Sequence, residues 1–414
     1  MKLYKRLQFL FCAVLFTLVA QNATAAKFKT VYKTTVFDKE IIRFNPEKYN
    51  TGAFEDNDIF RLGNGRVILK KVKLPKMKRD VELTVNIELK SNGDSWDKSG
   101  SSFIIPANSD INMLSIAKGL NSYPTPISEL TENLKGVITQ DNYITPVELM
   151  RFMTPFGVGY FNNQGDSIAQ ARRKPVYIAE WAPSVIWSQD VSDLYSLLTE
   201  EVYIGAFVDT WTEAGYELSL DLELKESVVK QDKLPKTKVL PLINTVYYQS
   251  QDIPDIFNRQ DLSVEFDLPK NAKNVVLKYI TTGHGGQSGG DEFVKCENII
   301  SLDQTEIFKF TPWRDDCASF RRFNPSTGTW LIPRETNYIG KESRGVKEIE
   351  EILGSSDLSR SNWCPGSDVL PEVIELNDLK PGKHKLSVSI PTAQSAANGK
   401  LNHWLISAYL VWEE

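Results

Sequence analysis

An all-β fold is predicted by three observations. Four segments alternate apolar and polar residues with a period of two. Gly, Pro, Asn and Asp punctuate the chain between apolar runs. Helical periodicity is confined to three short stretches. A period of two gives one buried and one solvated face, the mark of antiparallel sheets. Many strands with few helices point to sandwiches or barrels.

The alternating segments are Val81 to Leu89, Tyr216 to Leu224, Leu262 to Leu268 and Leu386 to Ile390. Further strand-like runs are Arg66 to Leu74, Tyr177 to Ala182, Val202 to Thr210, Val239 to Tyr248, Val275 to Thr281 and Trp404 to Trp412. Short helices are expected over Asn108 to Ala117, Ser128 to Leu134 and Val346 to Leu353. Two stretches without a strand signal, Gly100 to Thr145 and Trp313 to Glu372, read as long loops and hence as functional candidates.

At 414 residues the chain has room for two or three domains. A charged, proline-containing stretch from Glu226 to Lys236 separates two strong strands. A linker at 227–237 divides residues 26–231 from 237–414, each long enough for a large sandwich. An apolar content of 41% and an aromatic content of 11% supply material for two cores and exclude a disordered chain.

Lys2, Lys5 and Arg6, an apolar run from Leu7 to Ala20 and the small residues Ala23-Thr24-Ala25-Ala26 form an export signal, residues 1–25, cut near Ala25. That run is short for a membrane span, and no other segment has the length, so an integral membrane protein is not expected. Cleavage lowers the basic count from 48 to 45 against 53 acids, so the formal charge moves from -5 to -8. Nucleic acid is therefore an unsuitable partner. The protein is expected to be secreted or periplasmic, and monomeric.

Three cysteines survive cleavage, Cys296, Cys317 and Cys364, which allows one bridge and one thiol in an oxidising compartment. Cys317 and Cys364 both lie in turn-rich sequence, which favours them. Spacing alone leaves the pairing open. Only three histidines exist, His284, His384 and His403, so no metal site is expected.

Acidic residues beside aromatics are the candidate chemistry. Gly93-Asp94-Ser95-Trp96-Asp97-Lys98 follows one strand, Val208-Asp209-Thr210-Trp211 closes a second, and the glycine-dense Thr282 to Phe293, with His284, Asp291 and Glu292, follows a third. A flat aromatic face suits a sugar ring, and carboxylates suit hydroxyls or proton transfer. The bland readings are a turn-capping role for Asp97, a solvated loop for Glu292 and core packing for Trp211.

Together with Arg151 to Gly159, Asp209 to Gly215 and Arg360-Ser361-Asn362-Trp363-Cys364-Pro365-Gly366, these segments make the chain resemble the secreted bacterial peptide-N4-(N-acetyl-β-glucosaminyl)asparagine amidase family, the PNGase F type. The resemblance implies two side-by-side, eight-stranded antiparallel jelly-roll sandwiches with a cleft between them. It implies hydrolysis of the amide joining the innermost N-acetylglucosamine of an N-linked glycan to asparagine, in N-glycosylated peptides or proteins, with no cofactor. It carries catalytic roles to Asp97, Glu292 and Asp209, and substrate-binding roles to Trp96, Lys98, Trp211, His284, Arg360 and Trp363. It also implies a Cys317–Cys364 bridge. Asp209 stands for a family glutamate and Lys98 for a family arginine, which leaves a non-catalytic glycan-binding protein as the alternative. Copper-dependent peptide monooxygenases resemble the same paired architecture, but they need more histidines than this chain has.

Overall fold

The perfect alternation of Tyr216 to Leu224 makes Tyr216–Ser227 an inner strand of a four-stranded sheet, flanked by Phe28–Ile42 and Val81–Ser91, with Val185–Asp190 at the edge. Leu218, Leu220 and Leu222 fall opposite Leu89, Ile87 and Val85, and all six are fully buried. Burying each contributes about 1.5–3 kcal/mol. Facing this sheet is a seven-stranded one, in spatial order Asp368–Val369, Val147–Met153, Ser99–Ile105, Val202–Val208, Val67–Val72, Ile59–Leu62 and Phe54–Asp56. The structure is a computed structural model that describes residues 28–414 apart from 51, 108–109, 126–134, 163–177, 230–235, 249–252, 287–288 and 342.

The second half of the chain builds an eight-stranded sandwich. One sheet orders Thr237–Asn244, His403–Glu413, Lys273–His284 and Glu372–Glu375; the other orders Leu262–Leu268, Gly382–Ser389, Asn298–Leu302 and Thr305–Phe310. The architecture is all-β and antiparallel, two jelly-roll sandwiches of the anticipated class. The first sandwich exceeds eight strands because three short edge strands extend its larger sheet, one of them Asp368–Val369 from the second half of the chain.

Three expectations are corrected. Val346 to Leu353 is not a helix. It lies in Arg344–Gly354, which pairs with Thr329–Ile339 as a free two-stranded hairpin. The spacing of Val346, Ile349 and Ile352 mimics a helical face, but β-branched residues also favour strands. Residues 178–182 are not a strand; Val185–Asp190 takes the edge position instead. Neither long loop is structureless. Gly100 to Ile105 belongs to Ser99–Ile105, the helix Met113–Ala117 follows, and the hairpin occupies the other stretch. The export signal, the 128–134 helix, Tyr177 and linker residues 230–235 lie outside the described residues.

Where the sandwiches meet, alternation gives way to continuous burial. Lys273–His284 begins with alternating burial and ends with six buried residues; Val147–Met153 is buried throughout. Both faces of those segments are covered, one by their own sandwich and one by the other. Trp187 Nε1 donates to Gly366 O at 2.9 Å, and Met153 N donates to Ser367 O at 2.8 Å across this junction. The loop after Lys273–His284 and the turn between Val81–Ser91 and Ser99–Ile105 carry the candidate site.

Candidate active site

Asp97 sits in the turn between Val81–Ser91 and Ser99–Ile105. Its backbone is clamped from both sides. Buried Asp94 accepts from Trp96 N at 3.1 Å and from Thr210 Oγ1 at 2.7 Å. Lys98 N donates to Thr154 Oγ1 at 2.8 Å, and the Tyr216 hydroxyl donates to Trp96 O. Burial pushes Tyr216 well above its usual range, so it remains a donor. Asp94 takes a turn-capping role of the kind that sequence reading weighed for Asp97, and the Asp97 carboxyl lies beside Arg360.

Glu292 comes from the other sandwich, just beyond the Lys273–His284 strand. Its neighbour Asp291 anchors it: the buried Asp291 carboxylate accepts from Trp404 Nε1 at 3.0 Å and from Gln394 N. Glu292 O accepts from Ser361 N at 2.9 Å, which ties it to the segment carrying Arg360.

Arg360 joins the two carboxylates. Its Nε donates to Glu292 Oε1 at 2.8 Å, and its Nη2 lies 3.6 Å from Asp97 Oδ2. Nη1 donates to Leu358 O at 2.8 Å. The guanidinium packs between the rings of Phe293 and Trp363, 5.1 and 4.9 Å from their centroids. Trp363 is buried, donates to Gly283 O at 2.9 Å and stacks on His284. His284 in turn bonds Thr282 Oγ1 at 2.8 Å and stacks on His403. Burial holds both histidines neutral, His403 at about 4 and His284 well below its ordinary value. Arg360, Trp363 and His284 thus form the buried support of the site, not its open face. The exposed aromatics are Trp96, at 61%, and Trp211, at 56%.

Burial raises Asp97, opposed by the positive charges of Arg360 and Lys98. Burial also raises Glu292, to about 7; Arg360 opposes it and the charge of Asp97 adds to it. Two carboxyls sharing one guanidinium titrate as a pair. One proton held between them is the condition for acid–base work near neutral pH.

Asp209 stands in an adjoining cluster. Arg66 Nη1 donates to its Oδ1 at 3.0 Å, and the Tyr247 hydroxyl donates to its Oδ2 at 2.7 Å. Burial still raises its carboxyl. Arg66 lies 4.4 Å from the Trp211 ring centroid, and Phe44 packs beside the same ring. Lys98 is the link, since its charge acts on both Asp97 and Asp209. Sequence reading missed Arg66 and Tyr247, which reach Asp209 from 143 and 38 positions away, so a single sequence carries no signal for them; it named Asp94 in the motif without giving it a role. Cys317 and Cys364 form a disulfide 47 residues apart, closing the loop that delivers Arg360 and Trp363, and Cys296 is a buried free thiol. Among the described residues no three His, Cys, Asp or Glu side chains converge on a metal position.

The peptide-N-glycosidase F N-terminal model matches residues 33–224, and its C-terminal model matches 252–411. The peptide-N(4)-(N-acetyl-β-D-glucosaminyl)asparagine amidase F of Elizabethkingia miricola is 21% identical over 204 residues, 47% of this chain and 49% of that protein. The solved structure of PNGF-II is 36% identical, with a TM-score of 0.77 over 94% of this chain and 66% of that one. PNGase F, a glycosylasparaginase from Flavobacterium meningosepticum, is 17% identical with a TM-score of 0.56 over 93% and 96%, and shows the shared fold. The chain thus spans about half of the curated relative's length and 66% of PNGF-II. With both family models matched in order, one on each sandwich, the chain belongs to the peptide-N-glycosidase F family.

Proposed function

We propose that this chain hydrolyses the amide bond between the innermost N-acetylglucosamine of an N-linked glycan and its asparagine. The observation that carries the reading is the placement of Asp97 and Glu292, from opposite sandwiches, on either side of Arg360. Asp97 accepts the proton of the attacking water. Water adds to the side-chain carbonyl, the carbon–nitrogen bond breaks, and the nitrogen takes the proton held by Asp97 and leaves on the sugar as a glycosylamine. Aspartate remains in the peptide. Glu292 holds the substrate and shares a proton with Asp97, and Arg360 positions both carboxyls. Trp96 and Trp211 offer faces to sugar rings, and Lys98 links Asp97 to Asp209. His284 and Trp363 fix Arg360 from behind. The substrate is an N-glycosylated peptide or protein, and residues 1–25 direct the chain out of the cytoplasm, to the periplasm or beyond. Residues 26–231 and 237–414 are the proposed domains.

Mass spectrometry of an N-glycopeptide incubated with residues 26–414 tests the reading. The expected result is release of the whole glycan and conversion of the attachment asparagine to aspartate, absent with Asp97→Asn. A glycopeptide that binds and stays intact across several glycan types would establish the binding reading instead, the reading that Asp209 and Lys98 raise.

A further inference from the structure

The hairpin of Thr329–Ile339 and Arg344–Gly354 is the one two-stranded sheet among the described residues, and neither strand pairs with a third. Such a ribbon is marginal by itself in water. It nevertheless shows apolar side chains to solvent on both faces. Leu331 faces Ile352 and Asn337 faces Val346 on one side, with Ile339 at the tip; Ile349 lies on the other. Ile339, Leu331 and Val346 are 79%, 62% and 61% exposed. Glu335, Glu348 and Glu350 separate the apolar group near the root, Leu331 and Ile352, from the one near the tip, Val346 and Ile339; exposed apolar groups on an unpaired ribbon mark a surface that meets a partner.

The position of the ribbon identifies that partner. Its root is part of the candidate active site. Trp330 packs on Phe293 with ring centroids 5.4 Å apart, and Phe293 follows Glu292 and carries the Arg360 guanidinium on its ring. Ser355, the residue after the second strand, closes the base through Gly328 O at 2.8 Å and lies 3.4 Å from Arg360 Nη2. The disulfide-closed segment that delivers Arg360 and Trp363 therefore also delivers the ribbon. Eleven residues per strand reach about 35 Å from that root.

We propose that the ribbon is a docking arm for the polypeptide of the substrate, binding the extended chain that flanks the glycosylated asparagine. This rests on the amidase reading and adds an aglycone site to it. The chemistry selects a polypeptide over a glycan. Free strand edges offer unpaired N–H and C=O groups to an extended backbone, and Leu, Ile and Val cover apolar side chains. Tyr338, Glu335, Glu348 and Glu350 are exposed on the ribbon as well; the unpaired backbone edges, which match an extended chain residue by residue, decide for a polypeptide.

The test compares two substrates carrying the same N-glycan, one on a tripeptide and one on a peptide of about twelve residues with apolar flanks. Two variants are used. One joins Leu331 to Ile352 through an Asn-Gly turn and so removes the arm beyond its root. The other, Leu331→Ser, Ile349→Ser and Ile352→Ser, keeps it. Wild type is expected to prefer the longer substrate by about tenfold in kcat/KM or more. Both variants lose that preference and keep their rate on the tripeptide. An unchanged preference, an equal fall on both substrates, or no preference in wild type overturns the proposal. So does a shift from dimer to monomer on gel filtration with the preference intact, which would make a second copy the occupant. Fluorescence anisotropy with labelled forms of the same substrates reads the length preference without turnover. If wild type cleaves neither substrate, the amidase reading fails while the anisotropy comparison still decides the arm.

Discussion

Two buried arginine–glutamate pairs lie at the junction of the sandwiches, and they do opposite things. Arg151 and Glu148 are sealed. Both side chains have no exposed surface, and the guanidinium meets both carboxylate oxygens, Nε on Oε1 and Nη2 on Oε2. The remaining nitrogen donates across the junction to Thr282 Oγ1 at 3.0 Å and Leu405 O at 2.8 Å, while Ser101 donates to Glu148 at 2.6 Å. Arg360 and Glu292 are joined by one nitrogen, and the guanidinium is shared with Asp97, which keeps an exposed edge. In the first pair every guanidinium nitrogen and both carboxylate oxygens are bonded, and it acts as cement. The second has a carboxylate to spare and opens on the cleft. Residue types do not separate a structural ion pair from a functional one; the completeness of its hydrogen bonding does.

The largest effect that would sharpen this contrast is Asp97→Asn, expected to lower the rate of glycan release by about 10⁴-fold with an unchanged melting temperature. Calorimetry beside a product assay checks both halves; a comparable loss of stability would place Asp97 with the cement. Arg151→Met is the mirror experiment. Leaving Glu148 as an uncompensated buried charge is expected to cost about 3–5 kcal/mol in denaturant unfolding. The double variant Glu148→Leu, Arg151→Met recovers most of it, because the desolvation cost disappears along with the pair.

Glu292→Gln probes the open pair through pH. The folded carboxyl is raised to about 7 from an ordinary 4.5, so the native state holds that proton more tightly than the unfolded chain. Its contribution is fully present below about 4.5 and is lost as pH rises through about 7. His284 and His403, held neutral, tilt the wild-type curve the other way below about 6.5. The measured quantity is therefore the difference between wild type and variant in chemical denaturation across that range. A difference independent of pH would contradict the raised carboxyl. The smallest effect is Lys98→Arg. A guanidinium supplies a fork where the ammonium is a point charge, and kcat/KM is expected to change less than about threefold. A gain of a hundredfold would instead show that Lys98 limits the reaction.

Legibility in the sequence followed burial geometry. Tyr216–Ser227 and Leu262–Leu268 were readable because one face is wet, and alternation reports that directly. Ser99–Ile105 and Val147–Met153 went unread because the second sandwich covers their outer faces, so nothing alternates. Within the site, Asp97 and Glu292 stood out as acids beside aromatics and glycines after strands. Asp94, one turn earlier in the same motif, gave no sign that it would take the capping role.

The sequence by itself determined the all-β class, the two halves and the acidic and aromatic residues from which a site could be built, because periodicity and local composition are properties of neighbours along the chain. Only the tertiary structure decided that Arg360 stands between Asp97 and Glu292, that Arg66 and Tyr247 hold Asp209, that Trp363 lies buried while Trp211 is open, and that the helix-like spacing of Val346, Ile349 and Ile352 is a strand. Those outcomes depend on desolvation and on partners separated by 38 to 263 positions in the chain, and both are set only when the two sandwiches pack.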